Sequence, residues 1–127
     1  PPDVATVAPR TWINDNIVTF VVELLSEAAP KEVLDAVGLV QPGTAYFASF
    51  ADAEDLAEAG LADLNLHTKD FVCIPVNNNT DKMTALGGSH WSLLVWDRSR
   101  SIFRHFDSAS GSNAAVAAHL AKKMTPF

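Results

Sequence analysis

Two residues of this chain are spaced so that they could share a proton. His90 and Asp107 flank a stretch that reads as a β-hairpin, with strands over Trp91–Trp96 and Ser101–Phe106 joined by Asp97, Arg98, Ser99 and Arg100. With the turn centred between Arg98 and Ser99, regular antiparallel pairing sets His90 opposite Asp107, their Cα atoms about 4.5–5.5 Å apart. A carboxylate facing an imidazole orients the ring, selects its tautomer and stabilises the imidazolium formed when the ring takes a proton. Two members of a nucleophile–His–Asp triad are thus within reach. A purely structural His–Asp pair at a sheet end fits the same spacing. The one thiol, Cys73, lies in the apolar run Phe71–Val76. A nucleophile needs exposure and an electropositive setting, so Cys73 reads as a buried strand residue. His67, His105 and His119 show no ligand spacing with carboxylates or thiols, and no metal is expected. Gly87-Gly88 follows a loop, not a strand that leads into a helix, so it is not a phosphate cradle.

The elements that must position these groups are legible in the apolar spacing. Residues 1–11, with prolines at 1, 2 and 9, read as a loop. Ile13, Ile17, Phe20, Val21, Leu24 and Ala28 recur at three- and four-residue intervals, the inward stripe of an amphipathic helix. Asn14 is its N-cap, and Asp15 suits its electropositive end. Pro30 opens a short helix with Val33, Leu34 and Val37 inward and Gly38 as its stop. Leu39-Val40 is a short strand, and Pro42 starts a helix bearing Tyr46, Phe47 and Phe50. Residues 52–64 read as a surface helix, weakened or ended at Gly60, with Asp52, Glu54, Asp55 and Glu58 as its solvated face. Phe71–Val76 reads as a strand covered on both faces, and Asn77–Gly88 as a polar, mobile loop. Trp96 belongs to the core. A final helix carries Val116, Ala117, Leu120 and Met124, capped by Ser112 or Asn113, with Lys122 and Lys123 near its C-terminal dipole. Helices, then a strand meander, then a helix make the fold class α+β.

Composition narrows the function. The 127 residues allow one domain, and 48% hydrophobic residues suffice for a core. A formal charge of −6 argues against a nucleic-acid or anionic-membrane partner, which would need a basic face. A single cysteine excludes an internal disulfide and suits a reducing compartment. No apolar run is long enough to span a bilayer.

Three blocks carry a resemblance: TWINDNIVTF at 11–20, GGSHWSLLVWD at 87–97 and HFDS at 105–108 followed by Ser112-Asn113. In this order they resemble the ubiquitin-like-protein-specific cysteine proteases, the sentrin-specific protease family. Gly87-Gly88 before the His-Trp pair and the DS…SN pattern resemble the deneddylase branch most. The resemblance implies a papain-like cysteine protease fold, with 1–11 a leading loop and 12–127 the N-terminal portion of the domain. It makes His90 the general base and Asp107 its orienting carboxylate. Trp12 and Trp91 become indoles that cover a narrow tunnel for a diglycine tail, a role suited to flat apolar side chains; core packing is the other reading of each. Asn14 and Asp15 would border the tail groove. No cofactor is implied. The implied partner is a ubiquitin-like modifier, the neddylation modifier favoured over SUMO, and the implied site of action is the cytosol or nucleus. In the family the nucleophilic Cys and an oxyanion-hole Gln lie in a later part of the domain that has no counterpart here. The expectation is therefore that these 127 residues alone are inactive and that a C-terminal segment or a second chain completes the fold. Two other readings stay open: a binding module that grips a modifier tail without cleaving it, and a small acidic structural domain.

Overall fold

The computed structural model describes residues 2–81, 83 and 87–127. Lys82 and residues 84–86 of the expected mobile loop lie outside them. Strand β2 (Phe71–Asn77) lies between β1 (Val37–Leu39), which runs parallel to it, and β3 (Trp91–Asp97); β4 (Ile102–Phe106) completes the order β1-β2-β3-β4, the last two pairings antiparallel. Helices α1 (Asp15–Ala28), α2 (Lys31–Ala36), α3 (Pro42–Ala48) and α4 (Ala53–Glu58) precede β2, and α5 (Ala114–Met124) follows β4. Residues 4–7 form a 3-10 turn inside the expected leading loop.

Alternation along β2 decides where the core sits. Val72, Ile74 and Val76 are buried with Leu94 of β3, under Ala45 and Ala48 of α3, Leu56 of α4, and Ala117, Leu120 and Met124 of α5. Trp96 and Phe103 pack against this cluster with ring centroids 4.9 Å apart. Each large apolar side chain buried here stabilises the fold by about 1.5–3 kcal/mol. The other face of β2 is not covered as the sequence suggested. Phe71 is exposed and Cys73 and Pro75 are only half-buried, and the neighbouring Leu93, Ile102 and Phe106 are exposed too. An apolar run leads to a strand buried on both faces only where elements pack on both sides, and here helices lie on one.

The same limit turns helix α1 around. Asn14 caps it as expected, its Oδ1 accepting from the Ile17 amide at 3.0 Å. Its apolar stripe faces outward, however, with Phe20, Val21 and Leu24 exposed and Ile17, Val18 and Val22 only half-buried. Periodicity shows that a helix has an apolar face but not what will meet it. Gly38 is likewise not a helix stop. It sits buried in mid-β1, where a Cβ would lie 2.9 Å from Leu66 Cδ2, so glycine permits close approach of that segment. Val33 is exposed and Val37 half-buried, because α2 ends at Ala36 and Val37 already belongs to the strand.

Helix α4 stops where expected. Gly60 follows it with a positive φ of 92°. The β3–β4 turn is organised by Asp97, itself buried, whose carboxylate accepts from Ser99 Oγ, the Arg100 amide and the Arg100 guanidinium. The Arg100 contact, then Ser99, hold that carboxyl below its usual range.

These contrasting environments are separable by mutation. Leu120→Ala should cost about 2–5 kcal/mol in urea unfolding of the chain, whereas Leu24→Gln, on the outward stripe, should stay within about 0.5 kcal/mol. A large loss at Leu24 would mean that the stripe is packed in solution.

Candidate active site

The hairpin register differs from expectation by two residues. Leu93 pairs with Phe106 and Asp97 with Ile102, so the turn is centred between Ser99 and Arg100. Ser101 has a positive φ of 52° and its amide returns to the Arg98 carbonyl at 3.1 Å, which closes a four-residue loop over 98–101, one residue later than the expected 97–100. Continued past the ladder, this register sets Asp107 opposite Ser92, with His90 on the diagonal. A slip of two, unlike a slip of one, leaves every side chain on its original face, and diagonal neighbours remain within reach of long side chains. His90 Nε2 and Asp107 Oδ1 accordingly meet at 2.5 Å.

The Asp107 side chain is only 3% exposed. Its Oδ2 accepts the Asn113 amide at 2.8 Å, and its Oδ1 accepts the Ala109 amide at 2.8 Å as well as His90. The Asn113 amide foremost, then His90 and the Ala109 amide, outweigh desolvation and bring its pKa down to about 2. An ionised carboxylate can only accept, so the bonded Nε2 carries the proton and Nδ1 keeps its lone pair. Among the described residues no group is hydrogen-bonded to Nδ1. It is the nitrogen available to take a proton from a nucleophile.

His90 is held through its main chain as well. Asn78 Oδ1 accepts from the Ser89 and His90 amides at 2.8 and 3.2 Å, and the Asn78 amide donates to the His90 carbonyl at 3.2 Å. Gly88, with φ of 94°, makes the entry turn, where a Cβ would collide with Asn77 Oδ1. His105 points the same way as His90, its Nε2 2.8 Å from Ser92 Oγ and 4.0 Å from Asp107 Oδ2.

Beside the pair lies a cleft of about 250 Å³ between the start of α1, helix α3, β2 and the segment Gly87–Trp91. Trp12, Asn14, Asp15 and Trp91 all line it, together with Tyr46 of α3 and Val116 and Leu120 of α5. The Trp91 indole N–H donates to the Ile13 carbonyl at 2.8 Å, which ties β3 to the start of α1 and brings the two indoles to one cavity. Trp12 is 70% exposed, so core packing does not describe it. Asn14 also donates to Asp3 Oδ1 at 2.8 Å. Cys73 stands apart. It pairs with Val95 on the half-open side of the sheet, whereas His90 shares the parity of Ser92 and Leu94 on the helix-covered side. Burial raises its thiol pKa.

The sequence reading named His90, Asp107, Trp12, Trp91, Asn14 and Asp15; the last four line the cleft, and His90, bonded to Asp107, lies between the lining residues Ser89 and Trp91. It missed Asn78 as a clamp on His90, and it gave Asn113 only as one of two cap candidates, with Ser112. Asn113 occupies the cap position of α5, but its side chain makes no cap bond. The signal available was the density of asparagines around the His-Trp block, Asn77, Asn78 and Asn79 on one side and Asn113 on the other. Among the described residues no three His, Cys, Asp or Glu side chains come together as metal ligands would.

No family model matches the chain. It is 32% identical to human sentrin-specific protease 8 over 125 residues, 98% of the chain and 58% of that protein. It is 33% identical to NEDD8-specific protease 1 of Arabidopsis thaliana over 116 residues, 91% of the chain and 50% of that protein. The chain therefore spans little more than half the length of these curated relatives. In structure it resembles the Xanthomonas campestris effector XopD, solved bound to ubiquitin, with a TM-score of 0.53 at 20% identity, over 94% of the chain and 66% of XopD. That likeness carries the fold: α+β, of the papain-like protease type.

Asp107 makes the site acid-sensitive in a defined direction. Its folded pKa of about 2 lies below the ordinary 3.8, so its contribution to stability is complete above about pH 4 and is lost as pH falls toward 2. In Asp107→Asn that component of acid destabilisation should be missing from unfolding curves recorded between pH 5 and pH 2. An unchanged acid limb would remove the bonded carboxylate from the account.

Proposed function

We propose that the chain, similar over nearly all its length to sentrin-specific protease 8 and NEDD8-specific protease 1, forms part of a cysteine protease that cleaves after the C-terminal diglycine of a ubiquitin-like modifier. The observation that carries this reading is the 2.5 Å His90–Asp107 bond beside a cleft walled by Trp12 and Trp91. His90 is the general base and Asp107 its orienter. The nucleophilic thiol comes from polypeptide outside these residues, because Cys73 faces away from His90 across the sheet. The greater length of the relatives supports such an addition. So does the apolar surface that these residues leave open on β2–β4 and α1, which further polypeptide would cover.

In this reading the thiol proton passes to His90 Nδ1, and the thiolate attacks the carbonyl carbon of the modifier's last glycine. The bond to the substrate amine breaks as the imidazolium returns its proton to the leaving nitrogen. Water, deprotonated at Nδ1, then hydrolyses the thioester. Asp107 stabilises the imidazolium in both halves, and no cofactor is required. The indoles admit glycine and exclude bulkier side chains on either side of the scissile bond. The Gly87-Gly88 and DS…SN patterns, and the name of NEDD8-specific protease 1 among the relatives, support the neddylation modifier over SUMO. A reduced, partly buried thiol suits the cytosol or nucleus as the site of action.

A second reading has its own support. With Cys73 on the far side of the sheet, these 127 residues by themselves fit a non-catalytic module that grips a modifier tail. Two experiments separate the readings. A diglycine-ended modifier tail should shift the indole N–H resonances of Trp12 and Trp91 in the isolated chain, and a tail with leucine in place of the penultimate glycine should not. A modifier probe with a C-terminal electrophile should form no adduct with the isolated chain; an adduct at Cys73 would refute the assignment. In a polypeptide that supplies the nucleophile, His90→Ala should lower cleavage by about 10³-fold or more. A folded, completed form that never cleaves would leave the binding module.

A further inference from the structure

Asn113 is fully buried and sits where three parts of the site converge. Its main-chain N–H donates to Asp107 Oδ2 at 2.8 Å. Its side-chain Nδ2 faces three acceptors: Ser92 Oγ at 3.0 Å, the Val76 carbonyl at 3.3 Å and the His90 carbonyl at 3.4 Å. No donor among the described residues reaches its Oδ1. Exchanging the amide's O and N would set an oxygen against the Val76 and His90 carbonyls, so the orientation follows from the contacts. A helix cap would have turned this side chain back to its own helix; instead it is spent on the sheet, at the cost of an unsatisfied buried oxygen. The same residue thus holds the carboxylate through its backbone and the main chain of His90 through its side chain.

We infer that Asn113 is the positioning residue of the His90–Asp107 pair: it fixes the distance between the imidazole and the carboxylate by bonding to the segments that carry both. The amide suits this task. It donates to carbonyls without bringing a charge beside Asp107, whereas aspartate at this position would add that charge and set oxygen against both carbonyls. Alanine would keep the main-chain bond to Asp107 and remove the side-chain donor to the His90 carbonyl, leaving Asn78 alone to hold that segment. The inference builds on the reading of His90 and Asp107 as base and orienter, but its test reads the bond between them and needs no proteolysis.

The test is proton NMR of the 127-residue chain, following the Nε2–H resonance of His90, which a short bond to a carboxylate moves far downfield and protects from exchange with water. In Asn113→Ala and Asn113→Asp this resonance should move upfield or vanish, with exchange at least tenfold faster, while the amide signals of β1 and α4 stay in place. A folded Asn113→Ala chain with the His90 signal and its exchange unchanged would overturn the inference. Should both variants fail to fold, Ser92→Ala read against His105→Ala decides: the first removes the shortest of the three Asn113 side-chain bonds together with the Ser92–His105 bond, the second only the latter. Exchange at His90 should then be severalfold faster in Ser92→Ala than in His105→Ala, and equal rates would overturn the inference. A positive result would stand even if no completed form of the protein cleaved a modifier, so failure of the protease reading would be seen separately.

Discussion

The Asp107 carboxylate is the point to which the chemistry of this molecule is tied. It is almost wholly screened from solvent, yet it remains ionised because donors from three places converge on it: the His90 ring, the Ala109 amide in its own turn, and the Asn113 amide at the start of α5. An ionised acceptor dictates that the imidazole present a proton at Nε2, which leaves Nδ1 as the basic nitrogen. The tautomer, the ring's orientation and the direction in which the base faces all follow from that one charge. Without it His90 would be a histidine at a strand end with two equivalent ways to stand.

The sheet supports this arrangement through an asymmetry. Its helix-covered face carries Val72, Ile74, Val76 and Leu94 in the core, and where that face runs out toward β4 it presents Ser92, His105, His90 and Asp107. The polar end of a well-packed face is a rigid place to hold a proton-transfer pair, because the strands beneath it cannot shift without disturbing the core. The opposite face carries Phe71, Leu93, Ile102 and Phe106 in the open. One face of the sheet is thus buried under helices, and the other presents apolar surface of the kind that further packing buries.

Asparagines join the parts. Asn14 caps α1 and reaches Asp3, Asn78 clamps the His90 main chain from the β2 side, and Asn113 does so from α5. An amide side chain both donates and accepts, so it can bind a carbonyl and an N–H from different elements at once. That is what a segment leaving the regular ladder requires, since the sheet no longer satisfies its main chain. These residues look like turn formers in sequence, and their cross-element bonds form only after the elements have met.

Local chemistry was enough to read the α+β class, the start of α1 at Asn14, the end of α4 at Gly60, the two hairpin strands and the His90–Asp107 pair, because caps, glycines and alternation act within a few residues. The pair survived an error in the turn, since a register shifted by two keeps both side chains on one face. What packs against what was not legible. The stripe of α1 and the apolar run of β2 announced faces to be buried, but which neighbours exist to bury them depends on contacts between distant parts of the chain. The same holds for Asn113, read locally as a cap candidate and used instead to bridge strands. Spacing along the chain determines which side of an element is apolar or reactive; only the tertiary structure decides what that side meets, because burial and hydrogen-bond partners are properties of neighbours and not of a residue alone.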